Sequence, residues 1–510
     1  MNKGTLVQTS VWLIALTVAV KLLGFARDQV VAFLFGANPT TDAYYLTLTF
    51  VIGLLSVIGG TASAAIVPVL TDLWQRDRPA AWATFRRVGL AYLGIVIGVA
   101  AFVALGGPWL IEHVLGPGLP AQTRSLALQL VRALSLGFLF WALVPILQGT
   151  LNSRKSFLAP ACGPIVLNGV ILAVLLAFRR FGIGALAAGT VAGMIAQFLM
   201  LIPFLLAARA HDRREGDGGA DAAAVQRARA RVWALARPVL IIGLLAQLPA
   251  VVDKAVASTL PVGSVSVLSF AQKLMQLPLG LFIGGVTTVF YTSLSERWSR
   301  HDLEGAADQL GLGSGLTLLL GIPAAVGLAV LHQPIVEFVF QHGRFDAAAA
   351  HLTALALIYY CFGLPFVGLN LLLVRNAYAS GNAHAPMRGY LAALFVNAAG
   401  DLTLSRILGP SGIALASSLG AITLAASLVL SWTPEFRHAA ARAIRTSLRH
   451  ALVSSAVMGA AVLLLSLLLA HRPLWLRLGA PGLLGLAIYV ALVVLTGPRE
   501  VRLLVARVRG

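Results

Sequence analysis

Apolar positions along this chain come in long runs, not in the alternation of a half-buried strand or the single stripe of a surface helix. A helix needs about 20 mostly apolar residues to cross the roughly 30 Å hydrocarbon layer of a bilayer. A window of that length finds fourteen candidate spans: 9–34, 43–70, 88–111, 125–149, 158–178, 182–207, 236–260, 264–293, 311–332, 351–376, 387–408, 410–432, 450–470 and 478–496. The pattern predicts an all-α polytopic membrane protein. The first span follows Lys3, as a secretory signal would, but it is too long, and Lys21, Arg27 and Asp28 interrupt it where a cleavable signal stays apolar.

Composition supports the same class. Of 510 residues, 58% are hydrophobic and 11% charged, against about 45–50% and 25% in soluble domains. A mean hydropathy of +0.87 leaves too few polar residues to coat a water-facing surface. Soluble enzymes, disordered scaffolds and disulfide-rich secreted modules are excluded; Cys162 and Cys361 both lie in apolar runs. The net charge of +19 suggests nucleic acid until its distribution is read. Loops after even-numbered spans carry Arg76, Arg78, Arg86 and Arg87, then Arg154 and Lys155, seven arginines between 209 and 237, Arg297 and Arg300, Arg388, and Arg437, Arg442, Arg445 and Arg449. With Lys3, Arg499, Arg502, Arg507 and Arg509 that side holds about 25 cations, the other about 7. Both termini are expected in the cytoplasm. The charge is a topology signal with weak attraction to anionic lipid, and no nucleic-acid partner is needed.

The polar insert 208–235 divides the chain after six spans; its Gly and Asp cluster reads as flexible and its Arg-rich end as a short surface helix. A second break at 433–449 precedes the last two spans. The expected organisation is a six-helix bundle (1–207), a cytoplasmic linker (208–235), a second six-helix bundle (236–432), and two added helices with a basic tail (433–510). A weak internal match at an offset of about 225 residues relates the bundles. Ile58-Gly59-Gly60 through Trp74-Gln75-Arg76 is echoed by Ile283-Gly284-Gly285 through Trp298-Ser299-Arg300, and Pro160 and Asn168 by Pro386 and Asn397. An offset of six spans is even, so the copies are parallel, with a site expected between them near the midplane. Gly94/Gly98, Gly189/Gly193 and Gly280/Gly284 have spacings that permit close helix contact. Pro145, Pro249, Pro278 and Pro365 suggest kinks.

A charge within the bilayer requires a partner or a wet cavity. In the first span Lys21, Gly24 and Asp28 share a face, with Arg27 about 100° round from Asp28; the eighth span carries Lys273. One reading is a cationic cavity for an anionic headgroup such as a pyrophosphate, on which Arg acts as a planar donor and Lys as a point charge. The other is an Arg27–Asp28 pair with snorkelling neighbours. A second constellation comprises Asp253, Asn397, Asp401 and Ser417 at similar depth. These are oxygen ligands of the type a hard cation such as Na⁺ takes, or a proton relay. Alternatively Lys254 supplies the counter-charge to Asp401. Arg132 and Arg375 lie near span ends, where headgroup contact explains them.

No phosphate-binding GxxxxGK[ST] loop and no HExxH occurs, and Gly182-Ile183-Gly184 opens a membrane helix with no strand before it, so neither ATP hydrolysis nor other enzyme chemistry is indicated. Leu23-Gly24-Phe25-Ala26-Arg27-Asp28, Phe35-Gly36-Ala37, Thr41-Asp42-Ala43, Ile66-Val67-Pro68-Val69-Leu70, Lys273-Leu274-Met275-Gln276-Leu277-Pro278 and Phe340-Gln341-His342-Gly343-Arg344-Phe345 resemble the MurJ/MviN family. That family belongs to the multidrug/oligosaccharidyl-lipid/polysaccharide exporter superfamily, and the resemblance runs through essentially the whole chain. It implies a flippase that moves lipid II, the undecaprenyl-pyrophosphate-linked peptidoglycan precursor, between leaflets of the bacterial inner membrane. It further implies a substrate site using Lys21, Arg27, Asp28, Asp42, Lys273 and Gln276, with Lys21 and Lys273 standing where arginine is usual. The two C-terminal helices would form a groove for the polyprenyl tail. No cofactor is implied beyond a sodium coupling ion at Asp253, Asn397, Asp401 and Ser417. Partners would be the lipid-linked oligosaccharide and membrane lipid, with the protein a monomer working beside cell-wall synthesis proteins. The chain departs from the family at 54–62, LLSVIGGTA, where members carry a basic pair and an acidic residue. Another lipid-linked saccharide, such as an exopolysaccharide or O-antigen unit, thus competes as cargo. A drug/cation antiporter would want an acidic cavity, and a non-transporting scaffold of an envelope-synthesis complex would need no cavity cations.

Overall fold

The computed structural model describes residues 3–215, 219, 221–498 and 502. All regular structure among them is helical: α1 (Lys3–Phe35), α2 (Pro39–Arg76), α3 (Arg78–Leu110), α4 (Ala121–Ser153), α5 (Leu158–Ala177), α6 (Ile183–Glu215), α7 (Ala222–Ala257), α8 (Ser264–Pro278), α9 (Gly284–Ser299), α10 (Leu303–Val330), α11 (His332–Phe340), α12 (Ala347–Ala379), α13 (His384–Leu408), α14 (Pro410–Leu430), α15 (Pro434–Leu468) and α16 (Leu474–Thr496). Arg499, Arg507 and Arg509 of the basic tail, the side chains of Lys3, Arg213 and Arg214, and linker residues 216–218 and 220 lie outside the described residues.

Twelve of these helices are long and apolar enough to span a bilayer, and α8 with α9, bent by 43° around the π-helical turn Leu279–Ile283, makes a thirteenth. With the 33-residue α1 the chain has about fourteen. Pro278 at the end of α8 marks that bend, as the sequence suggests. Leu105, Ile407 and Leu495 are 82, 79 and 81% exposed; side chains this apolar stand outward because their solvent is lipid.

Caps set several boundaries. Asn38 accepts from the amides of Thr40 and Thr41 while Thr41 Oγ1 accepts from the Asn38 amide, a closed capping box that starts α2. Asp77, Asp302, Asp346 and Thr433 cap α3, α10, α12 and α15. The Gly305 amide and Arg297 together hold the Asp302 carboxyl below the usual carboxylate range. The linker differs from expectation. The Arg-rich stretch 222–235 is not a separate surface helix but the first turns of a 36-residue α7, and 208–215 continues α6. Nor is 433–449 a break: Thr433 caps a 35-residue α15 that runs straight through it.

Packing divides the chain into two compact units. The first takes in α1 to Val31 and Asn38–Thr259; the second takes in Ala32–Ala37 and everything from Leu260 onward. The repeat assigns α7 to the second bundle, yet α7 packs on α2 and α3 and counts with the first. Antiparallel pairing of α2 with α7 is fixed by Gln247 Nε2 donating to Ser56 Oγ (2.8 Å) and by Arg231 with Asp72 (3.8 Å). Gly189 and Gly193 do bring helices together: a Cβ on Gly193 would stand 2.7 Å from the Leu167 carbonyl oxygen of α5. Gly94 and Gly98 face open space and make no such contact.

Each unit carries the same tie at its arginine-rich end. Trp74 Nε1 donates to Ser153 Oγ at 2.7 Å, and Trp298 Nε1 to Asn376 Oδ1 at 3.0 Å. The first unit adds Asp212, at the end of α6, which accepts from both Arg154 Nη atoms and from Trp82 Nε1 (2.8 Å) while Arg154 lies over the Trp74 ring.

Prolines inside membrane helices remove an amide and orphan the carbonyl four residues earlier, which water cannot satisfy there. Pro164 orphans the Pro160 carbonyl, and Gln148 Nε2 of α4 donates to it at 3.1 Å. Pro323 in α10 orphans the Leu319 carbonyl, and Tyr489 of α16 donates its hydroxyl there at 2.5 Å. With Arg477 paired to Glu337 of α11 at 3.3 Å, this bond docks α16. Tyr489→Phe should leave that carbonyl bare at a cost of about 1–3 kcal/mol, measured as a lower melting temperature. Adding Pro323→Ala, which restores the helical amide, should return most of the loss; a double variant as weak as the single would show that the tyrosine stabilises by packing alone.

Candidate substrate-binding site

Within the first unit the strongest polar constellation lies where α1 meets α2. Arg27 is half-buried and Asp28 only 6% exposed. Although the two Cβ directions diverge along the helix, the guanidinium wraps round: Nε and Nη2 donate to Asp28 Oδ1 at 3.1 and 2.9 Å. The Arg27–Asp28 pair, the alternative to a cavity of unpaired cations, therefore forms. Tyr44 and Tyr45, both buried, are electrostatic neighbours of Arg27, and the Tyr44 hydroxyl meets Thr190 Oγ1 of α6 at 2.9 Å. Asn168 of α5 lies against Gly24, where a Cβ would stand 3.8 Å from Nδ2. Its amide donates to the Pro164 carbonyl at 2.8 Å, and its Oδ1 is buried without a hydrogen bond among the described residues.

Tyr44, Tyr45, Thr190 and Asn168 are the members that sequence reasoning passed over as site residues. The tyrosines sit two and three positions after Asp42, and Asn168 is the one polar side chain between Pro164 and Phe178. Of the expected residues, Lys21 is exposed on α1, one face with Gly24 and Asp28. Asp42 is buried in the first turn of α2, where a carboxylate complements the positive end of a helix dipole.

In the second unit Lys273 of α8 is half-buried with its ammonium 5.4 Å from the centre of the Phe270 ring, a cation–π geometry. Phe270 itself packs on Phe340 and Phe345, ring centres 4.9 and 5.3 Å away. Gln276, one turn on, is exposed. The short segment that joins α1 to α2 packs here too: the Arg344 amide donates to the Phe33 carbonyl at 3.0 Å. Gly36 (φ 71°) and Gly343 (φ 63°) adopt left-handed backbone, and a Cβ on either would strike a main-chain oxygen, of Arg344 and Phe33 respectively. The two motifs FGA and FQHGRF are halves of one contact.

Asn397 and Asp401, 1 and 0% exposed, lie one turn apart on the same face of α13, and Ser417 is half-buried on the adjoining α14. These helices lie close because Gly400 and Gly420 admit them: Cβ atoms there would stand 2.8 Å from Ala416 Cβ and 3.3 Å from Asn397 Cβ. Asp253 and Lys254 are buried side by side on α7, in the first unit. No cluster of three or more His, Cys, Asp or Glu residues is found among the described residues. A cation at Asn397, Asp401 and Ser417 would therefore have one carboxylate, an amide oxygen and a hydroxyl, donors that suit sodium in type.

The family model described as Lipid II flippase MurJ matches residues 31–475. The chain belongs to the MurJ lipid II flippase family. A probable lipid II flippase MurJ of Thermotoga maritima is 30% identical over 452 residues, covering 87% of this chain and 88% of that one. The lipid II flippase MurJ of Burkholderia cenocepacia is 27% identical over 413 residues, 79% of each. A solved lipid II flippase MurJ in an inward closed conformation superposes with a TM-score of 0.74 at 25% identity, covering 95% of this chain and 98% of its own. An inward-facing multidrug resistance MATE family transporter of the MOP superfamily shares the fold, at TM-score 0.66 and 12% identity.

The Arg27–Asp28 pair yields a direct test. Arg27→Ala removes the cation paired with a buried carboxylate and should cost up to about 3–5 kcal/mol, seen as a fall in melting temperature of the purified protein. Arg27→Ala combined with Asp28→Ala should recover most of it; no recovery would mean that Asp28 is held by other groups.

Proposed function

We propose that this chain translocates lipid II from the inner to the outer leaflet of the bacterial inner membrane by alternating access, without covalent chemistry. Arg27 carries the reading. Its Nε and Nη2 are committed to Asp28, which fixes the guanidinium plane and leaves Nη1 for a diphosphate oxygen. Lys21 and Lys273 add point charges, and Gln276 and Asp42 complete the headgroup contacts. The arginine-rich ends of the helices face the cytoplasm, so both termini are cytoplasmic. The protein acts as a monomer that receives its cargo from membrane-bound cell-wall synthesis.

The test is rescue of a cell depleted of its lipid II flippase. The unaltered gene should restore growth and cell shape. Arg27→Ala should weaken headgroup binding roughly ten- to hundredfold and abolish rescue at normal expression, with Lys21→Ala and Lys273→Ala reducing it. Rescue by the triple Ala variant at normal expression would sink the cavity and favour a scaffold. No rescue by well-expressed unaltered protein would direct the search to another polyprenyl-linked saccharide, the cargo that the uncharged stretch 54–62 also suits.

Sodium is proposed as the coupling ion at Asn397, Asp401 and Ser417, all in the second unit. Sodium chloride should raise the melting temperature relative to choline chloride, and Asp401→Ala should remove the difference. Identical curves in the two salts would exclude this ion.

A further inference from the structure

A second site of different chemistry lies wholly in the first unit. Between α2, α3, α4 and α7 there is a cavity of about 300 Å³, lined by Ile58, Thr61, Ala62, Tyr92, Ile95 and Leu240 among others, with Trp233 and Arg237 along one side. Ile95 and Leu240 are exposed, so it opens on the lipid-facing surface. The Tyr92 hydroxyl in its wall is spent on the Ala142 carbonyl, but Arg237 and Thr61 offer donors. Arg237 is exposed, and among the described residues no carboxylate pairs with it. One turn before it on the same face stands Trp233, half-buried; this aromatic–cation pairing is typical of the headgroup level of a bilayer.

The other group is Thr61. Thr150, Thr190, Thr287 and Thr317, all buried, bond back to the carbonyl one turn earlier. The hydroxyls of Thr61, Thr84 and Thr353 have no partner among the described residues, and of these three only Thr61 lines this cavity. Thr61 is 7% exposed. Its side chain lines the cavity, and a helical threonine exchanges hydroxyl for methyl by moving between two χ1 wells. Buried hydroxyls go unpaired at a cost, which a ligand acceptor would remove. The register fixed by Ser56–Gln247 and Asp72–Arg231 sets Arg237 opposite Ile66 and Thr61 opposite residue 242. Thr61 is therefore about 7 Å deeper in the bilayer than the guanidinium, at 1.5 Å per residue.

We infer that this cavity holds one acyl chain of an anionic diacyl phospholipid, with its phosphate on Arg237 and its ester carbonyl accepting from Thr61. The three features match such a lipid in order of depth: a cation at headgroup level, a donor one to two turns deeper, then hydrocarbon wall. A free inorganic anion would use only the first. The site is separate from the cargo site and stands whether or not the cargo is lipid II.

Purified full-length protein, stripped of lipid in a neutral detergent, is titrated with phosphatidylglycerol, with phosphatidylcholine, or with inorganic phosphate, and its melting temperature followed. Phosphatidylglycerol should stabilise strongly, phosphatidylcholine several-fold less at equal concentration, and phosphate not at all. Arg237→Gln and Thr61→Val should each weaken the phosphatidylglycerol response at least threefold, and Ala62→Trp, which fills the cavity, should erase it. Thr61→Val is nearly isosteric and removes an unpaired hydroxyl, so the lipid-free variant should melt no lower than the parent and remains decisive if Ala62→Trp does not fold. Equal stabilisation by both lipids would mean non-specific solvation by the bilayer and overturn the proposal. So would stabilisation by phosphate alone, or an unchanged response in Thr61→Val.

Discussion

A carbonyl oxygen within a bilayer has no water to turn to, so every one that its own helix abandons must be met by another part of the protein. Much of this architecture follows from that constraint. Pro164 frees a carbonyl and Gln148 of α4 answers it; Pro323 frees another and Tyr489 of α16 answers that. Where α1 stops, the Phe33 carbonyl is met by the Arg344 amide. Two of these repairs join segments far apart in sequence and the first joins neighbouring helices, so prolines that would weaken a water-exposed helix here become points of attachment. α16, whose outer faces carry Leu483, Leu486 and Leu495 toward lipid, gains little from apolar burial when its solvent is itself apolar. The tyrosine bond and the Arg477–Glu337 pair give it a defined seat.

The span count and the family were legible in the sequence because each rests on patterns longer than a single contact. Twenty-residue apolar runs survive errors of a few positions at either end. The repeat showed through Trp74 and Trp298, and the structure supplies the reason: both close the same bond at the ends of the helices they join. What the sequence misjudged was continuity. Polar composition made 222–235 and 433–449 look like breaks, but Arg and Ala are strong helix formers, and the polar face of a helix leaving a membrane is free to be charged. Likewise GxxxG spacing permits close contact without ensuring it, as Gly193 and Gly98 show by opposite outcomes.

At the site, charges were visible and their uncharged company was not. Arg27 and Asp28 announce themselves because ionised groups in apolar runs are rare. Tyr44, Tyr45, Thr190 and Asn168 are ordinary in membrane helices, and only the folded chain shows that they gather round the pair. The cavity near Thr61 was invisible for the same reason. An idle hydroxyl has no sequence signature, because the same residue eighty-nine positions later, Thr150, satisfies itself.

The matched tryptophan ties carry a consequence for engineering. Trp74–Ser153 and Trp298–Asn376 each close inside a single unit, so a substitution that opens one leaves the other in place. Damage at either end is thereby contained in its own part of the chain.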